Sequence, residues 1–407
     1  MPRTPHRPGR VRALLLLLGS AALVPLASAL ILGGDTTAQT APPADDPGWA
    51  NVVSPAGCSG VYLGNNWVLT AAHVGVGNTV VNGATLAPQP GSAIRLRTPD
   101  GFGDTDLLLF RLASDPGLPA VTLVDSPLNP HTAVTMIGYG RTRGDQVSYD
   151  AAWLLGGLPT AYSGYVWGCA QKSWGTNRVA QTLAVADGYG VCQPYQTVFD
   201  AAGPGVGAEE AQGALFDSGG GVFAKIAGTW RLAGIMVTVS GYDGQPASTA
   251  LFGNATYSME LSVYRAQIEA VRGLTAPFAI WWYNRFRNTA LDATTDSDGD
   301  GFTNFEEYAY GLDPQTKNPA SAGPQVALAS YTDGEALTAT FTRSTAAADV
   351  SLVVEVSDDL VTWASGATAT AVVSATSLGN NVERLVVRDQ STTVGSARRF
   401  LRVRAMR

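Results

Sequence analysis

The sequence has 407 residues, of which 26 are Lys or Arg and 33 are Asp or Glu, so its formal net charge is −7. This length exceeds the usual size of a single hydrophobic core and predicts two or three domains. The acidic balance argues against nucleic-acid binding through a diffuse basic face.

The first 29 residues have the composition of a signal peptide. Four arginines precede an apolar run from Leu14 to Leu26, and residues 27–29 read Ala-Ser-Ala. The run is shorter than the roughly 20 residues of a membrane-spanning helix, and Pro25 interrupts it. We therefore expect cleavage and export, which makes the protein extracellular or periplasmic. After cleavage the chain would contain 22 basic and 33 acidic residues, a net charge of −11. No later segment is predicted to span a membrane.

The cysteines are few for an exported chain. There are three, and an odd number leaves at least one thiol without a partner in the same chain. Cys169 and Cys192 flank one loop-rich stretch and are a possible disulfide. Cys58 stands alone and is interpreted as a buried thiol.

Short apolar runs separated by Gly and Asn predict β-strands over much of the chain. Residues 141–212, rich in Gly, Trp and Tyr, are interpreted as long loops and strands without finer placement. Apolar residues recur at helical spacing from Tyr257 to Arg272. Many strands followed by one closing helix predict an all-β fold. The clearest predicted strands are Gly60–Leu63 and Trp67–Thr70, which form a hairpin, then Asp106–Leu112, Val134–Gly140 and Thr229–Val239.

A candidate nucleophile is Ser218, which lies between Asp217 and three glycines. This pattern predicts a tight turn, and a serine nucleophile needs a base and an acid that orients the base. The chain has three histidines; His6 belongs to the predicted signal peptide and His131 to a turn-like segment. His73, at the end of the sequence Thr-Ala-Ala-His, is therefore the predicted general base.

Two carboxylates, Asp104 and Asp106, are candidates for the orienting acid. Asp106 directly precedes three leucines and so enters a buried strand, where it can hold the imidazole in one tautomer. Asp104, between Gly and Thr, is interpreted as a solvated turn residue. Asp106 is therefore the predicted acid.

The motifs Thr-Ala-Ala-His at 70–73, Asp-Leu-Leu-Leu at 106–109 and Asp-Ser-Gly-Gly at 217–220 occur in that order. Jointly they resemble a chymotrypsin-type (trypsin-like) serine protease, over residues 31–273. The resemblance implies a double six-stranded β-barrel and a secreted serine endopeptidase that works through Ser218, His73 and Asp106 and an acyl-enzyme intermediate. It implies peptide or protein substrates and no cofactor for catalysis. The alternative is a catalytically impaired protease-fold protein that acts as an extracellular binding or adhesion module.

The resemblance also implies roles for the residues around Ser218. The N–H groups of Phe216 and Ser218 would form the oxyanion hole, although the family usually has Gly where Phe216 stands. Gln212 would form the floor of the specificity pocket, beside Gly213, and a neutral floor does not support a preference for Lys or Arg.

The family's activation ion pair would join the amino group of Ile31 to Asp217. The Ala-Ser-Ala sequence instead points to a cut before Leu30, one residue earlier. The sequence leaves both positions open.

A second motif follows the protease-like region, in a segment predicted to span 278–314, with a helical stretch from Phe278 to Phe286. Residues 296–307 match the calcium-loop pattern D-x-D-x-D-G-x5-E. The segment resembles thrombospondin type 3 and dockerin-like calcium motifs of secreted bacterial proteins, and a single copy suggests a structural Ca²⁺. The predicted ligands are Asp296, Asp298, Asp300, the carbonyl of Phe302, Asn304 and Glu307.

Alternating apolar and polar residues predict a β-sandwich over residues 320–407. Leu337, Ala339 and Phe341 alternate with threonines, and Leu352, Val354 and Val356 show the same pattern. Residues 384–388 and 399–404 are predicted to be further strands. We find no catalytic cluster in this region, and its expected role is to bind a surface, glycan or protein, or to act as a spacer.

Overall fold

The structure is a computed structural model that describes residues 12–13, 30–34, 39–183, 185–187, 190–392 and 398–407. For 12–13, 185–187 and 190–192 it describes the backbone only. Apart from the two-residue strand Arg12–Ala13, the predicted signal peptide lies outside the described residues. Two compact units are present, Met1–Pro88 with Ala93–Gly273, and Gln89–Ser92 with Leu274–Arg407.

The first half of the larger unit is an antiparallel sheet of seven short strands. Its apolar side chains, among them Val53, Tyr62, Val68 and Phe110, form one buried cluster. The predicted hairpin of Gly60 and Trp67 is confirmed, with Val61 opposite Leu69. In sheet order the strands are Ala84–Leu86, Thr79–Val81, Val52–Pro55, Gly60–Gly64, Trp67–Ala71, Asp104–Arg111 and Ile94–Arg97.

The second half is a closed six-stranded barrel, because its first and last strands also pair with each other. Arg12–Ala13 is added at the end of the first strand, opposite Ser240 and Gly241. The core of this barrel includes Met136, Tyr195 and Val222. Its strands are Thr229–Gly241, Gly221–Ile226, Ala133–Gly138, Ser173–Thr182, Pro194–Val198 and Ala255–Glu260.

Smaller sheets and one helix complete the larger unit. The predicted helix starts later than expected, at Leu261, because Ala255–Glu260 is a barrel strand. The carboxylate of Glu260 then accepts a hydrogen bond from the N–H of Ser262 and caps the helix. The elements are the sheet Arg141–Tyr149, Tyr162–Ala170 and Thr249–Leu251, the pairs Ile31–Leu32 with Ala211–Gln212 and Val185–Asp187 with Gly190–Cys192, the helix Leu261–Arg272 and the 3-10 turn Trp49–Asn51.

The smaller unit has two helices and a β-sandwich. The helix Pro277–Phe286 confirms the predicted aromatic helix, and Asn304–Tyr310 is a second, shorter helix. Ala339, Phe341, Val354 and Leu385 fill the space between the two sheets, as their alternation predicts. The sheets are Gln325–Tyr331, Gly334–Ser344, Val382–Asp389 and Thr370–Gly379, and Ala364–Ser365, Ser351–Ser357 and Phe400–Met406; a 3-10 turn covers Ala320–Ala322.

In the described ranges, no helix combines the length and the apolar character needed to cross a membrane.

Candidate active site

His73 and Asp106 are brought together by the paired strands Trp67–Ala71 and Asp104–Arg111. Nδ1 of His73 lies 2.7 Å from Oδ2 of Asp106, and the backbone N–H of His73 donates to Oδ1 at 2.9 Å. Asp106 is 2% exposed. Because one buried carboxylate contacts both the ring and the backbone of His73, it fixes the ring orientation and favours a proton on Nδ1. Nε2 is then the proton acceptor.

Asp104 has a different role from the one predicted. It begins the strand Asp104–Arg111 instead of lying in a turn, and its carboxylate pairs with Nε of Arg97 at 3.3 Å. Both side chains are substantially exposed, so this pair is a surface contact of small energetic weight. Of the two candidate acids, Asp106 contacts His73. Asp104 instead pairs with Arg97 at the start of the strand.

The turn that carries Ser218 packs against the strand that leads to His73. The N–H of Ser59 donates to the carbonyl of Ser218 at 3.1 Å, and the hydroxyl of Thr70 donates to the carbonyl of Ser59 at 2.7 Å. Gly219 has φ of +89°, and a Cβ there would lie 1.9 Å from the carbonyl oxygen of Ser59. Only glycine permits this approach. The Ser218 turn therefore packs beside Thr70, and His73 follows Thr70 by three residues in the chain.

Phe216 occupies the backbone conformation that glycine would take at this position. Its φ is +78°, in the left-handed region that bulky residues rarely adopt. Its carbonyl accepts a hydrogen bond from Oγ of Ser59 at 2.9 Å, and the same Oγ accepts from the N–H of Tyr139 at 2.8 Å. The guanidinium of Arg141 lies 5.4 Å from the Phe216 ring centre. These contacts hold the peptide in its unusual conformation.

The N–H groups of Phe216 and Ser218 are available to a ligand. Within the described part of the chain, neither N–H donates to a protein acceptor, whereas the N–H of Asp217 between them donates to Ala214 at 3.1 Å and that of Gly219 to Met236 at 2.7 Å. Two unused N–H donors that flank a turn serine are the arrangement that stabilises an oxyanion.

Asp217 is a buried carboxylate held by backbone N–H groups. It is 1% exposed and accepts from Ala214 at 2.9 Å, Gly140 at 2.9 Å and Leu30 at 3.2 Å. Burial raises the pKa of this carboxyl to about 7, and the three N–H donors oppose the shift. Among the described residues, no Lys, Arg or His side chain forms an ion pair with Asp217.

In the uncut chain the backbone nitrogen from the amino-terminal segment that contacts Asp217 is that of Leu30, one residue before the predicted Ile31. The backbone of Ile31 pairs with Gln212, and its side chain packs in a buried cluster with Tyr165 and Phe199. These contacts fix the register of the segment, so that the nitrogen one residue earlier reaches the carboxylate.

The predicted specificity residues lie on the strand Ala211–Gln212 and just after it. Gln212 is 2% exposed, and its Oε1 has no hydrogen-bond partner in the described structure. The N–H of Gly213 donates to Oγ1 of Thr256 at 2.9 Å, and a Cβ on Gly213 would lie 3.5 Å from Val239. Gly213 therefore lies against Thr256 and Val239, directly after the buried Gln212.

The cysteines do not support the possible disulfide. Cys169 is exposed and unbridged, on the strand Tyr162–Ala170, whereas Cys192 belongs to a separate two-stranded sheet and its side chain lies outside the described residues. Cys58 is buried, as predicted, and burial raises the pKa of its thiol to about 11.

The predicted calcium loop brings three carboxylates together in the smaller unit. One oxygen each of Asp296, Asp298 and Asp300 lies within 4.8 Å of the others. Gly299 and Gly301 have φ of +76° and +101°, and the N–H groups of both donate to Asp296. The loop is thus turned inward on itself, as a cation-binding loop must be.

The helix that follows the loop presents further oxygens without partners. Glu307 is 0% exposed and both of its carboxylate oxygens lack a hydrogen-bond partner in the described structure. Oδ1 of the buried Asn304 and both oxygens of Asp298 also lack one. Burial, and then the neighbouring Asp298, Asp300 and Asp296, raise the pKa of Glu307 to about 8. Several buried oxygens without donors fit a hard cation such as Ca²⁺.

Sequence reasoning missed Ser59, which links the serine turn to the rest of the site. It is fully buried and contacts Phe216, Ser218 and Tyr139. These partners are 80 to 159 positions away, so no local pattern around Ser59 could have indicated the role.

Comparison with known proteins identifies the family. A family model described as Trypsin matches residues 35–249, more than half of the chain. A search of curated proteins finds no match.

Several solved protease structures are similar to this chain over a little more than half of its length. Neuropsin from mouse brain is 15% identical over 57% of this chain and 97% of its own, with a TM-score of 0.36. The HtrA-type protease AlgW, solved with a decapeptide, is 15% identical over 54% of this chain and 52% of its own, with a TM-score of 0.33. Rv3671c from M. tuberculosis, in an inactive mutant form, is 14% identical over 56% of this chain and 90% of its own, with a TM-score of 0.32.

At these identities and TM-scores, the individual structures carry no information about function, and the assignment depends on the family match and the fold described above. The chain belongs to the trypsin family.

Proposed function

We propose that the protein is a secreted serine endopeptidase whose catalytic residues are Ser218, His73 and Asp106. The observation that carries the proposal is the buried carboxylate of Asp106 at 2.7 Å from Nδ1 of His73, beside the strand Trp67–Ala71 against which the Ser218 turn packs. A family match supports a serine protease fold, and this geometry supports activity.

The chemistry follows from the roles of these groups. Oγ of Ser218 attacks the carbonyl carbon of the scissile peptide, and Nε2 of His73 accepts the hydroxyl proton. The N–H groups of Phe216 and Ser218 donate to the oxyanion that forms. When the C–N bond breaks, His73 gives the proton to the leaving amine and an acyl-enzyme remains. Water, deprotonated by His73, then releases the acid and regenerates Ser218.

A fluorophosphonate probe tests the proposal directly, because it reacts with an activated serine. Labelling of the wild type at Ser218 should be lost in Ser218→Ala and His73→Ala. Asp106→Asn should fold and lose about 10⁴-fold in kcat, since the ring then loses its favoured tautomer. A folded wild type that resists the probe would favour the alternative, an impaired protease fold that binds proteins.

We also propose that signal cleavage between residues 29 and 30 produces the mature amino terminus at Leu30. The nitrogen of Leu30 already lies 3.2 Å from Asp217, and cleavage would convert it from an amide to an ammonium, the partner that a buried carboxylate requires. Leu30 has φ of +59°. Cutting the preceding peptide bond removes the carbonyl that makes this conformation costly, about 1–2 kcal/mol.

The substrate pocket is proposed to accept neutral side chains before the scissile bond. A buried amide at Gln212 and the nearby hydroxyl of Thr256 can each form hydrogen bonds with a polar group but neither carries a charge that would bind Lys or Arg. Cleavage-site profiling on a peptide library measures this preference, and a majority of cleavages after Lys or Arg would contradict it.

The loop around Asp298 is proposed to hold one structural Ca²⁺, ligated by the residues that the sequence predicts. The support is the orphaned, buried carboxylate of Glu307 together with the convergent aspartates. Extracellular calcium modules bind with Kd of roughly 0.1–1 mM, so the melting temperature should rise in millimolar calcium and fall in chelator. An unchanged melting temperature argues against the metal.

A further inference from the structure

The barrel strand Thr229–Gly241 passes the Ser218 turn, and beyond the turn one edge of this strand is not covered by a neighbouring barrel strand. The neighbouring strand Gly221–Ile226 pairs with it only as far as Ile235, and Oγ of Ser218 lies 3.5 Å from the carbonyl of Val237. Gly219 and Gly220 bond to the backbone of Met236, and beyond Val237 the described chain pairs with that edge only through Arg12–Ala13, which belongs to the predicted signal peptide. After signal removal, an extended polypeptide can pair with this edge.

An apolar surface begins where this strand ends. We call it the apolar platform; it consists of Trp153, Leu154, Leu155, Leu158, Tyr162 and Tyr242. Tyr242 directly follows the strand, and its ring lies 4.8 Å from that of Tyr162. The rings of Tyr162 and Trp153 are stacked at 4.3 Å and 12°. Leu154, Leu155 and Leu158 follow Trp153 and are 63%, 64% and 83% exposed.

Hydrogen bonds hold the platform in place. The carboxylate of Asp150 accepts from the N–H groups of Ala152 and Leu154, both at 2.9 Å. Nε1 of Trp153 donates to the carbonyl of Asp243 at 3.1 Å, and the hydroxyl of Tyr242 donates to Phe252 at 2.9 Å. Exposed leucines that directly follow a fixed aromatic cluster in the chain make a preformed binding surface rather than scattered apolar residues.

We propose that the apolar platform is an extended substrate subsite that binds apolar side chains N-terminal to the scissile bond. The inference rests on the proposed function, because it places the scissile carbonyl at Ser218. In a substrate that pairs antiparallel with Val237–Gly241, residues closer to the substrate's amino terminus lie closer to Tyr242. Tyr242 lies five positions after Val237, about 17 Å along a strand, so the platform receives substrate residues about four to six positions upstream.

Two series of decapeptides test the assignment. Both keep the residues around the cleaved bond constant, as found by library profiling. One series carries Leu or Phe at the fourth to sixth positions upstream, and the other carries Ser there. The wild type should cleave the apolar series with kcat/KM about tenfold higher, the size expected for one partly buried apolar side chain.

The variant Leu154→Ser/Leu155→Ser/Leu158→Ser should remove this preference without loss of folding, since all three side chains are exposed. Leu158→Ser alone should reduce it. The control Leu360→Ser/Val361→Ser changes exposed side chains of the smaller unit and should leave the preference intact. All variants should hydrolyse a tripeptide ester and react with a fluorophosphonate like the wild type, because these probes do not reach the platform.

The readouts separate the two proposals. Loss of ester hydrolysis and labelling in the wild type would refute the proposed function. Normal labelling with equal cleavage of both series, or a preference that survives the triple variant, would overturn the platform subsite alone. Platform-dependent dimerisation in solution, or sedimentation with phosphatidylglycerol vesicles at unchanged peptide preference, would assign the surface to another occupant and would also overturn it.

Discussion

The backbone nitrogen of Leu30 lies 3.2 Å from Oδ2 of Asp217, although 187 positions separate them in the chain. In the uncut chain this nitrogen is an amide, and the carboxyl of Asp217 has a pKa of about 7 because it is buried. In a chain that begins at Leu30, the same nitrogen is an ammonium. The proposed cleavage before Leu30 would therefore change the charge state of Asp217, the residue that precedes Ser218.

We predict that a chain beginning at Leu30 and a chain beginning at Ser28 differ in the pH dependence of stability. In the longer chain, between about pH 4 and 7, Asp217 is protonated in the folded state and ionised in the unfolded state. Its free energy of unfolding should therefore fall as pH rises through this window, by up to about 4 kcal/mol. In the shorter chain the ammonium lowers the pKa of Asp217 and the fall should be smaller.

Urea unfolding at several pH values measures this difference. Glu210, whose pKa is also raised to about 8 by burial, contributes equally to both chains and cancels in the comparison. Asp217→Asn should abolish the difference. Identical pH profiles for the two chains, or an exported protein whose amino-terminal sequence does not begin at Leu30, would contradict the assignment.

A second prediction concerns Ser59 and Phe216. Ser59→Ala removes the hydroxyl that holds the Phe216 carbonyl and leaves the N–H of Tyr139 without its acceptor, which costs about 1–3 kcal/mol of stability. Because the N–H of Phe216, a proposed oxyanion donor, belongs to this strained turn, kcat should also fall, by roughly 10- to 100-fold.

Glycine at position 216 adopts positive φ without strain, so Phe216→Gly should keep its activity and should restore part of the kcat lost in Ser59→Ala. Thr70→Val removes a neighbouring buried hydroxyl. It measures how much stability and kcat are lost when any buried hydroxyl at this site is removed. If the effects of Ser59→Ala and Phe216→Gly on kcat are simply additive, Ser59 does not act through the Phe216 peptide.

The sequence predicted the elements whose signals are local. Alternation indicated the strands around Phe341 and Val354, and the run of leucines after Asp106 indicated a buried strand with an acid at its start. The start of the helix at Leu261 was missed because the preceding residues pair with two distant strands, and such pairing overrides helical spacing. The roles of Ser59 and Leu30 depend on partners far along the chain, and no periodicity contains that information.

The third prediction tests the neutral floor of the pocket. Gln212→Asp should move the main cleavage preference to Lys or Arg, since a buried carboxylate stabilises a bound cation. Without such a ligand the new charge is unpaired, so the variant should be less stable than the wild type, by about 1–3 kcal/mol, and a basic peptide should restore stability. Gln212→Glu provides a second charged variant. A library profile that stays unchanged in both would show that position 212 does not face the substrate.

The last prediction concerns the calcium loop. Glu307 is buried with both oxygens unpartnered, so Glu307→Gln should weaken calcium binding by at least tenfold, because an amide supplies one neutral oxygen where the carboxylate supplies two charged ones. The same change should make the metal-free protein no less stable, since it replaces a buried carboxyl, whose ionisation three neighbouring aspartates oppose, with a neutral amide. Titration calorimetry with calcium and melting curves in chelator measure the two effects. Glu335→Gln, an exposed carboxylate of the same unit, is the matched control and should change neither. Wild-type calcium affinity in Glu307→Gln would contradict ligation by Glu307, and a chelator-sensitive melting temperature in that variant would place the metal elsewhere.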